Sequence, residues 1–523
     1  MKFQRSLGPI GLMFTAVSGV LGSAWLFGPY YAVQIAGPAA LLSWILGALA
    51  TWMIALTFAE LSCMFPVAGG SARFVYLTHG VLTSFIFSWI MWLGYAAVAP
   101  AETLGVILYM ASTWPWLVTV KDGVAVLSSA GYGVAALVLM LMCIINFLSI
   151  RWLARYNAVM VWIKMSVPVI VAVIVLSVMF KPVNFAQFGG FMPYGFKGVA
   201  SALSLGGVIF SYAGYAPAII LAGEAKNPQK VIPIVLTGAL LICFVIYFIL
   251  QVAFIGAQAP ANVSGGWKDL HFASDASPFV GIADQLGMSK LHYLILITAI
   301  LTPLGTAIIF IATSARVAYA MSQNGYFPHA MLYLNKKGVP VLAVLLNFLV
   351  GMVLFFPAPG WQGMTGFLVA AFVLCYALGP ISLIALRSQL PEQARPFRLP
   401  WAKAWALISF YIANLIIYWA GWQTYSLMGA AIAFGVVLLV IVRVFQRKQI
   451  AMDGKNSIWA FAYLIGMAIL SYLGNFGGGK AILAVDWDAV IIFLFSIVIF
   501  YWAWQSRITS EKTVHYIKAL DEK

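Results

Sequence analysis

Along the chain, long apolar runs alternate with brief polar, Pro or Gly punctuation, and the runs are too long for strands or for ordinary soluble helices. A membrane crossing needs about 20 mostly apolar residues. On that measure the pattern predicts helices near 8–33, 38–64, 82–112, 124–147, 157–180, 199–222 and 232–256. Seven more follow near 291–322, 340–356, 364–387, 404–424, 426–444, 457–475 and 487–505, which makes about 14 transmembrane helices. The division between the eleventh and twelfth falls around Gln423 to Ser426, where punctuation is weakest. Met-Lys-Phe-Gln-Arg leads into the first run without an A-x-A-like cleavage site, so that run reads as a first span and not as a removable signal. No separate soluble domain is expected. The longest connection, roughly 257–290, carries Lys268, Asp269, Asp275 and Asp284 and is long enough to fold over an entrance.

Composition agrees. Of 523 residues 63% are apolar and 8% charged, with a mean hydropathy of +0.98, which excludes a soluble enzyme with a membrane tail. The formal charge of +15 would suggest nucleic acid in a soluble protein, but here its distribution carries the information, and no nucleic-acid partner is expected. With the N-terminus inside, 22 of the 29 Lys and Arg fall on cytoplasmic segments, six fall outside, and Lys164 lies within a span. An invented or missed helix early in the chain would invert the later loops and spoil this bias. Both termini are therefore expected in the cytoplasm, with the chain a multi-pass protein of the inner (plasma) membrane.

Cys63, Cys143, Cys243 and Cys375 are scattered through apolar runs, and the five histidines form no metal-ligand spacing, so no disulfide framework, metal or cofactor is expected. Gly474 to Lys480 reads G-x-x-x-x-G-K, but Ala481 follows and no strand precedes it, so it is not a phosphate loop. Without a nucleotide-binding segment, coupling to an ion gradient is the expected energy source. A membrane-embedded enzyme would need a nucleophile, base or metal constellation at depth, and the sequence offers none.

Two spans carry clusters of helix-breaking residues: Ser18-Gly19-Val20-Leu21-Gly22-Ser23-Ala24-Trp25 in the first and Leu205 to Pro217 in the sixth. Inverted-repeat transporters place a discontinuous helix at the start of each five-helix half, where half-helix N-termini hold an anionic group and unwound carbonyls hold a cation. An amino acid's carboxylate and ammonium suit such a site. The competing account is that these glycines only let helices approach closely.

These clusters, together with Ala59-Glu60-Leu61 through Ser71, Gly223 to Pro233, Ser314-Ala315-Arg316 through Pro328, and Arg395 to Pro400, resemble in order the motifs of the amino acid, polyamine and organocation (APC) transporter superfamily. Gly22 to Phe27, Ser471 to Gly477 and two extra C-terminal helices are similar to the bacterial aspartate-proton symporter group. The resemblance implies an all-α integral membrane protein with a LeuT-like 5+5 inverted repeat: helices 1–5 in residues 1–180, helices 6–10 in 181–390, and about four additional helices and a tail in 391–523. It implies import of an amino acid, with L-aspartate or another acidic one first, in symport with protons by alternating access. An amino acid or polyamine exchanger and a neutral amino acid permease remain open. Oligomeric state is not legible.

Backbone groups of Ser18, Gly19, Gly22, Ser23, Ala24 and Trp25 are the expected anchor for the substrate's carboxylate, and those of Phe210, Ser211, Tyr212 and Gly214 for its ammonium. Phe210 and Tyr212 match aromatic positions that close over substrate in relatives; core packing is the other account. Lys164 is the one Lys or Arg inside a span, where it costs about 2.5–3.5 kcal/mol on insertion scales. In proton-coupled relatives a Lys at the matching place stands where others bind sodium, between helices one and eight; snorkelling toward the cytoplasm is the alternative. Thr313 and Ser314 match hydroxyls that bind sodium in relatives that use it, and otherwise only bond their own helix. Glu102 is a second proton site, a pocket wall or a protonated structural carboxyl. Glu60 and Glu224, near helix ends, are expected to pair with loop Arg or Lys. Ala216 stands where many relatives have a Glu, so no role of that carboxylate transfers.

Overall fold

The computed structural model describes residues 8–65, 70–121, 124–147, 150–220, 227–270, 272, 277–357, 360–446, 453–484 and 487–521. Its helices in chain order are α1 (Pro9–Val20), α2 (Ala24–Ala36), α3 (Ala40–Met64), α4 (Gly70–Met110), α5 (Ser129–Ile145), α6 (Ile150–Met179), α7 (Gly195–Leu205), α8 (Val208–Ala213), α9 (Ala216–Ile220) and α10 (Pro228–Gly256). They continue as α11 (Pro278–Gln285), α12 (Ser289–Gln323), α13 (Val341–Leu354), α14 (Gly360–Tyr376), α15 (Leu378–Gln389), α16 (Ala402–Gln446), α17 (Ile458–Leu473), α18 (Asp488–Gln505) and α19 (Ser510–Asp521).

Among the described residues nine helical stretches are long and apolar enough to cross a membrane, and the bent pair Gly195–Leu205 and Val208–Ile220 makes a tenth. Two of the nine stretches, Ala24–Met64 and Ala402–Ile441, are each a pair of helices; separating them and adding the shorter α5 and α13 gives the fourteen segments of the hydropathy pattern. This is the all-α 5+5 inverted-repeat architecture followed by four further helices.

Burial sorts the helices into a centre and a rim. The apolar stretches of α4 and of α14 with α15 are 94% and 100% buried, whereas that of α16 is 22% buried. Lipid is as apolar as Leu, so rim helices need something more specific than apolar contact to stay docked. On the rim, Asn414 of α16 donates to the Ser496 hydroxyl at 2.9 Å and accepts from Tyr463 of α17 at 2.7 Å, which ties α16, α17 and α18 together. Within α16 the break lies at Gly421 (φ 81°), a few residues before the expected division; a side chain there would strike the backbone of Gly477.

Elements outside the apolar runs were not legible from hydropathy. A small antiparallel hairpin, β1 (Val118–Lys121) and β2 (Val124–Leu127), pairs Val118 with Leu127 and precedes α5. The connection after α10 carries α11, whose Pro278–Ala283 stretch is buried. At the other end of the bundle, the Glu60 carboxylate receives both Arg387 Nε (2.8 Å) and Nη2 (2.7 Å) and the amide of Leu399 (2.7 Å). The expected pairing of Glu60 is thus present, while Glu224 lies outside the described residues. Gly474 to Lys480 follows α17, a helix and not a strand.

Candidate functional site

Breaking a helix frees backbone groups that must find partners when buried. α1 ends at Val20 and α2 begins at Ala24, and three other helices serve the freed carbonyls in the last turn of α1. Lys164 of α6 donates to the Ser18 carbonyl at 2.8 Å, and the Thr306 hydroxyl of α12 donates to the same oxygen at 2.9 Å. Tyr247 of α10 donates to the Val20 carbonyl at 2.8 Å. Trp361 of α14 donates its indole N–H to the Ser23 hydroxyl at 2.8 Å.

The second break is double. α7 stops at Leu205, Gly206 and Gly207 intervene, α8 runs for six residues, and Gly214 and Tyr215 separate it from α9. Gly207 sits at φ 79°, where a side chain would be strained and would also meet the Trp361 ring. Tyr376 donates to the freed Ala213 carbonyl at 2.8 Å.

The two breaks touch. A Cβ on Gly19 would meet the Gly214 carbonyl oxygen at 2.5 Å, and one on Gly214 would overlap the Gly19 carbonyl and the Val20 amide nitrogen. Both accounts of these glycines therefore hold, since the helices are interrupted and also cross without room for a side chain. Beside the contact lies a cavity of about 10 Å³, room for about one water, lined by residues that include Gly19, Gly214, Glu102, Phe210 and Thr306.

Charges complement the half-helix ends. The ammonium of Lys164 is fully buried at the C-terminal, carbonyl-rich end of α1, with Thr306 Oγ1 as its second acceptor at 2.7 Å. It is turned into the bundle and does not snorkel. The carboxylate of Glu102 on α4 accepts the Ser23 amide at 2.6 Å, at the N-terminal end of α2. A cation at one helix's C-terminus and an anion at the next one's N-terminus is the favourable arrangement for both macrodipoles. The Lys164 ammonium shares the Ser18 carbonyl and Thr306 hydroxyl, oxygens of the kind that hold a monovalent metal ion, so ammonium and metal would compete there.

The other expected site residues divide. Phe210 lines the cavity and packs edge-on against Trp361, with centroids 5.8 Å apart. Tyr212 points elsewhere: its ring packs on Trp44 and Tyr247 and its hydroxyl donates to the Trp44 carbonyl at 3.2 Å, which is core packing. The Ser211 hydroxyl bonds back to the Gly207 carbonyl. Trp25 is buried, donates to Thr302 at 3.1 Å and lies against Phe279 of α11; Ala24 is buried at the start of α2. Thr313 and Ser314 are not brought to Lys164. Their hydroxyls bond the Ile309 and Phe310 carbonyls of their own helix, and Ser314 also accepts from Asn347.

The hydroxyl that meets Lys164 is instead Thr306, about two turns earlier on α12. The sequence held a signal for it: Thr298, Thr302 and Thr306 recur every fourth residue and so share a face of α12. Tyr247 and Trp361 gave no such signal, because single aromatics in apolar runs look like packing.

Comparison with known proteins identifies the family. A family model described as "Amino acid permease" matches residues 11–428. Over 522 residues, 98% of this chain and 95% of the other, the sequence is 33% identical to the glutamate/serine transporter AimA of Bacillus subtilis. It is 33% identical over 506 residues to that organism's aspartate-proton symporter, covering 96% of each chain. With its branched-chain amino acid permease BcaP the identity is 27% over 461 residues, 86% of this chain and 94% of that protein. Two interrupted helices crossing at glycines, a family match over most of the chain and full-length relatives that are transporters lead to one conclusion: this multi-pass membrane protein belongs to the amino acid permease family of the APC superfamily.

Proposed function

We propose that the protein is a secondary active transporter that imports an amino acid together with protons by alternating access, with L-aspartate or a related acidic amino acid as first substrate. The observation that carries this reading is the buried ammonium of Lys164 bonded to the Ser18 carbonyl at the break of α1. A cation in that place ties α1 to α6 and α12, and losing its proton weakens the tie, which links proton release to movement of α1. The substrate's carboxylate is assigned to the first amides of α2 and its ammonium to the carbonyls freed at the end of α8.

Relatives named as an aspartate-proton symporter and a glutamate/serine transporter support an acidic substrate and proton coupling. A neutral amino acid is the second reading. It is favoured by the cavity's lining, whose one charged residue is Glu102, an anion that would repel a second substrate carboxylate. The repeats are assigned to residues 1–180 and 181–390, with 391–523 as later helices and tail. The charge bias of the loops supports cytoplasmic termini, and the plasma membrane is the proposed location.

Uptake into proteoliposomes under an imposed pH gradient, with labelled L-aspartate competed by the common amino acids, tests the proposal. Accumulation inhibited by aspartate and glutamate is the expected result. Inhibition by leucine or arginine but not by glutamate would overturn the acidic assignment, and sodium-dependent, pH-independent uptake would overturn the coupling.

A further inference from the structure

An anion already holds the amide that the proposed function reserves for substrate. Glu102 accepts the Ser23 N–H at 2.6 Å and is 1% exposed. Two glycines, one in the break and one on α4, build the approach: a Cβ on Gly22 would overlap the Glu102 carboxylate, and a Cβ on Gly105, one turn along α4 from Glu102, would meet the Ser23 Cβ at 2.8 Å. α4 can come this close to the break only because neither position carries a side chain. The neighbouring cavity of about 10 Å³ leaves no space for a second carboxylate beside the first.

We infer that the Glu102 carboxylate is a tethered stand-in for the substrate's own carboxylate, capping α2 in the substrate-free protein and yielding the Ser23 amide, with uptake of a proton, when substrate arrives. The inference rests on the proposed transport function. In the exchange the hydrogen bond from Ser23 N–H passes from Glu102 to the substrate's carboxylate, and an O–H bond forms on Glu102 with a proton from solution. The proton is required because the walls open to the displaced side chain include Val98, Phe310 and Phe372, which offer an anion no partner. Two ionised carboxylates cannot share one helix end without strong repulsion. The titratable groups that face Glu102 are Lys164 on α6 and Tyr247 on α10, and both already donate to carbonyls of the α1 break. The exchange therefore makes substrate binding compete with deprotonation of Glu102, so affinity falls as pH rises.

The test is equilibrium binding of radiolabelled L-aspartate, L-glutamate and L-serine to the purified full chain, from about pH 5 to about pH 8, for wild type and Glu102→Gln. A glutamine keeps the shape but bonds Ser23 only as a neutral acceptor, about half as strongly as a carboxylate. The variant should bind about tenfold or more tightly than wild type at the alkaline end and show a shallower pH profile, with the two proteins converging at the acid end. A folded Glu102→Gln protein with wild-type affinity and wild-type pH slope would overturn the inference while leaving transport standing. Binding of none of the three ligands by wild type would overturn the transport reading and the inference together. Infrared difference spectra of the wild type alone give a second readout that needs no variant. Substrate should raise a protonated-carboxyl band, and its absence on saturation with bound ligand would also overturn the assignment.

Discussion

Replacing Lys164 by Met removes the buried charge while conserving length and most of the volume. The ammonium's two hydrogen bonds, to Ser18 and Thr306, are worth about 1.5–3 kcal/mol each. Against that loss, a Lys inside a membrane span costs about 2.5–3.5 kcal/mol that Met does not. The variant should therefore be less stable by no more than about 3.5 kcal/mol, and the Ser18 carbonyl keeps Thr306 as a donor, so no orphaned group is created. Glu102 loses a facing charge, and the double variant Lys164→Met/Glu102→Gln controls for that. Substrate counterflow in proteoliposomes, which needs no proton gradient, should persist. With the membrane potential clamped at zero, a gradient of about one pH unit supplies about 1.4 kcal/mol, enough for about tenfold accumulation by a one-proton symporter. In the Glu102→Gln background, where Lys164 is the remaining proton site, accumulation should approach that ratio, and Lys164→Met/Glu102→Gln should stay at one. Tenfold accumulation by a folded double variant would refute the role given to this amine.

Three further outcomes are expected. Thr306→Val deletes the second acceptor of Lys164 without changing shape and should impair pH-driven accumulation, whereas Thr313→Val and Ser314→Ala, measured in the same assay, should leave it within about twofold of wild type. Gly214→Val should eliminate ligand binding, because a side chain there overlaps the Gly19 backbone; normal binding by this variant would mean that the breaks do not meet. Arg387→Ala leaves the Glu60 carboxylate buried without its bidentate partner and should cost about 3–5 kcal/mol, read as a fall in the detergent melting temperature that Glu60→Gln/Arg387→Met reverses in part.

Element existence was legible because a membrane asks for length and apolarity, and both can be read from residues 8–33 onward without knowing any contact. The two breaks were legible for a related reason, since Gly19, Gly22, Gly206, Gly207 and Gly214 interrupt runs that otherwise favour helix. What stayed hidden depends on which turn of one helix faces another. Thr306 and Thr313 are both hydroxyls on α12, and only the packing of α6 against α12 decides which of them Lys164 reaches. Phe210 and Tyr212 are two residues apart on one short helix and so point to different sides, which lets the first line the cavity and sends the second into the core. The division within α16 needed the backbone angle of Gly421, which composition does not report. Glu102 could be flagged as a carboxyl at membrane depth, but its bond to the Ser23 amide spans 79 residues of sequence.

The carbonyls at the end of α1 are held by Lys164, Thr306 and Tyr247, side chains rooted in three different helices. In the proposed transport cycle the hinge of α1 is consequently not a property of its own glycines, which supply only the freedom to bend. On that proposal three fasteners with separate chemistry set how often it swings: an ammonium, an aliphatic hydroxyl and a phenol anchored in a neighbouring span. At about 0.5–1.5 kcal/mol for each neutral bond and about 1.5–3 for the charged one, releasing all three costs about 2.5–6 kcal/mol. That range keeps the swung-out form a minority species while leaving it within thermal reach. A mutation in any of three distant stretches of sequence can then change the opening frequency of a helix it does not belong to, and turnover becomes a shared trait of the bundle.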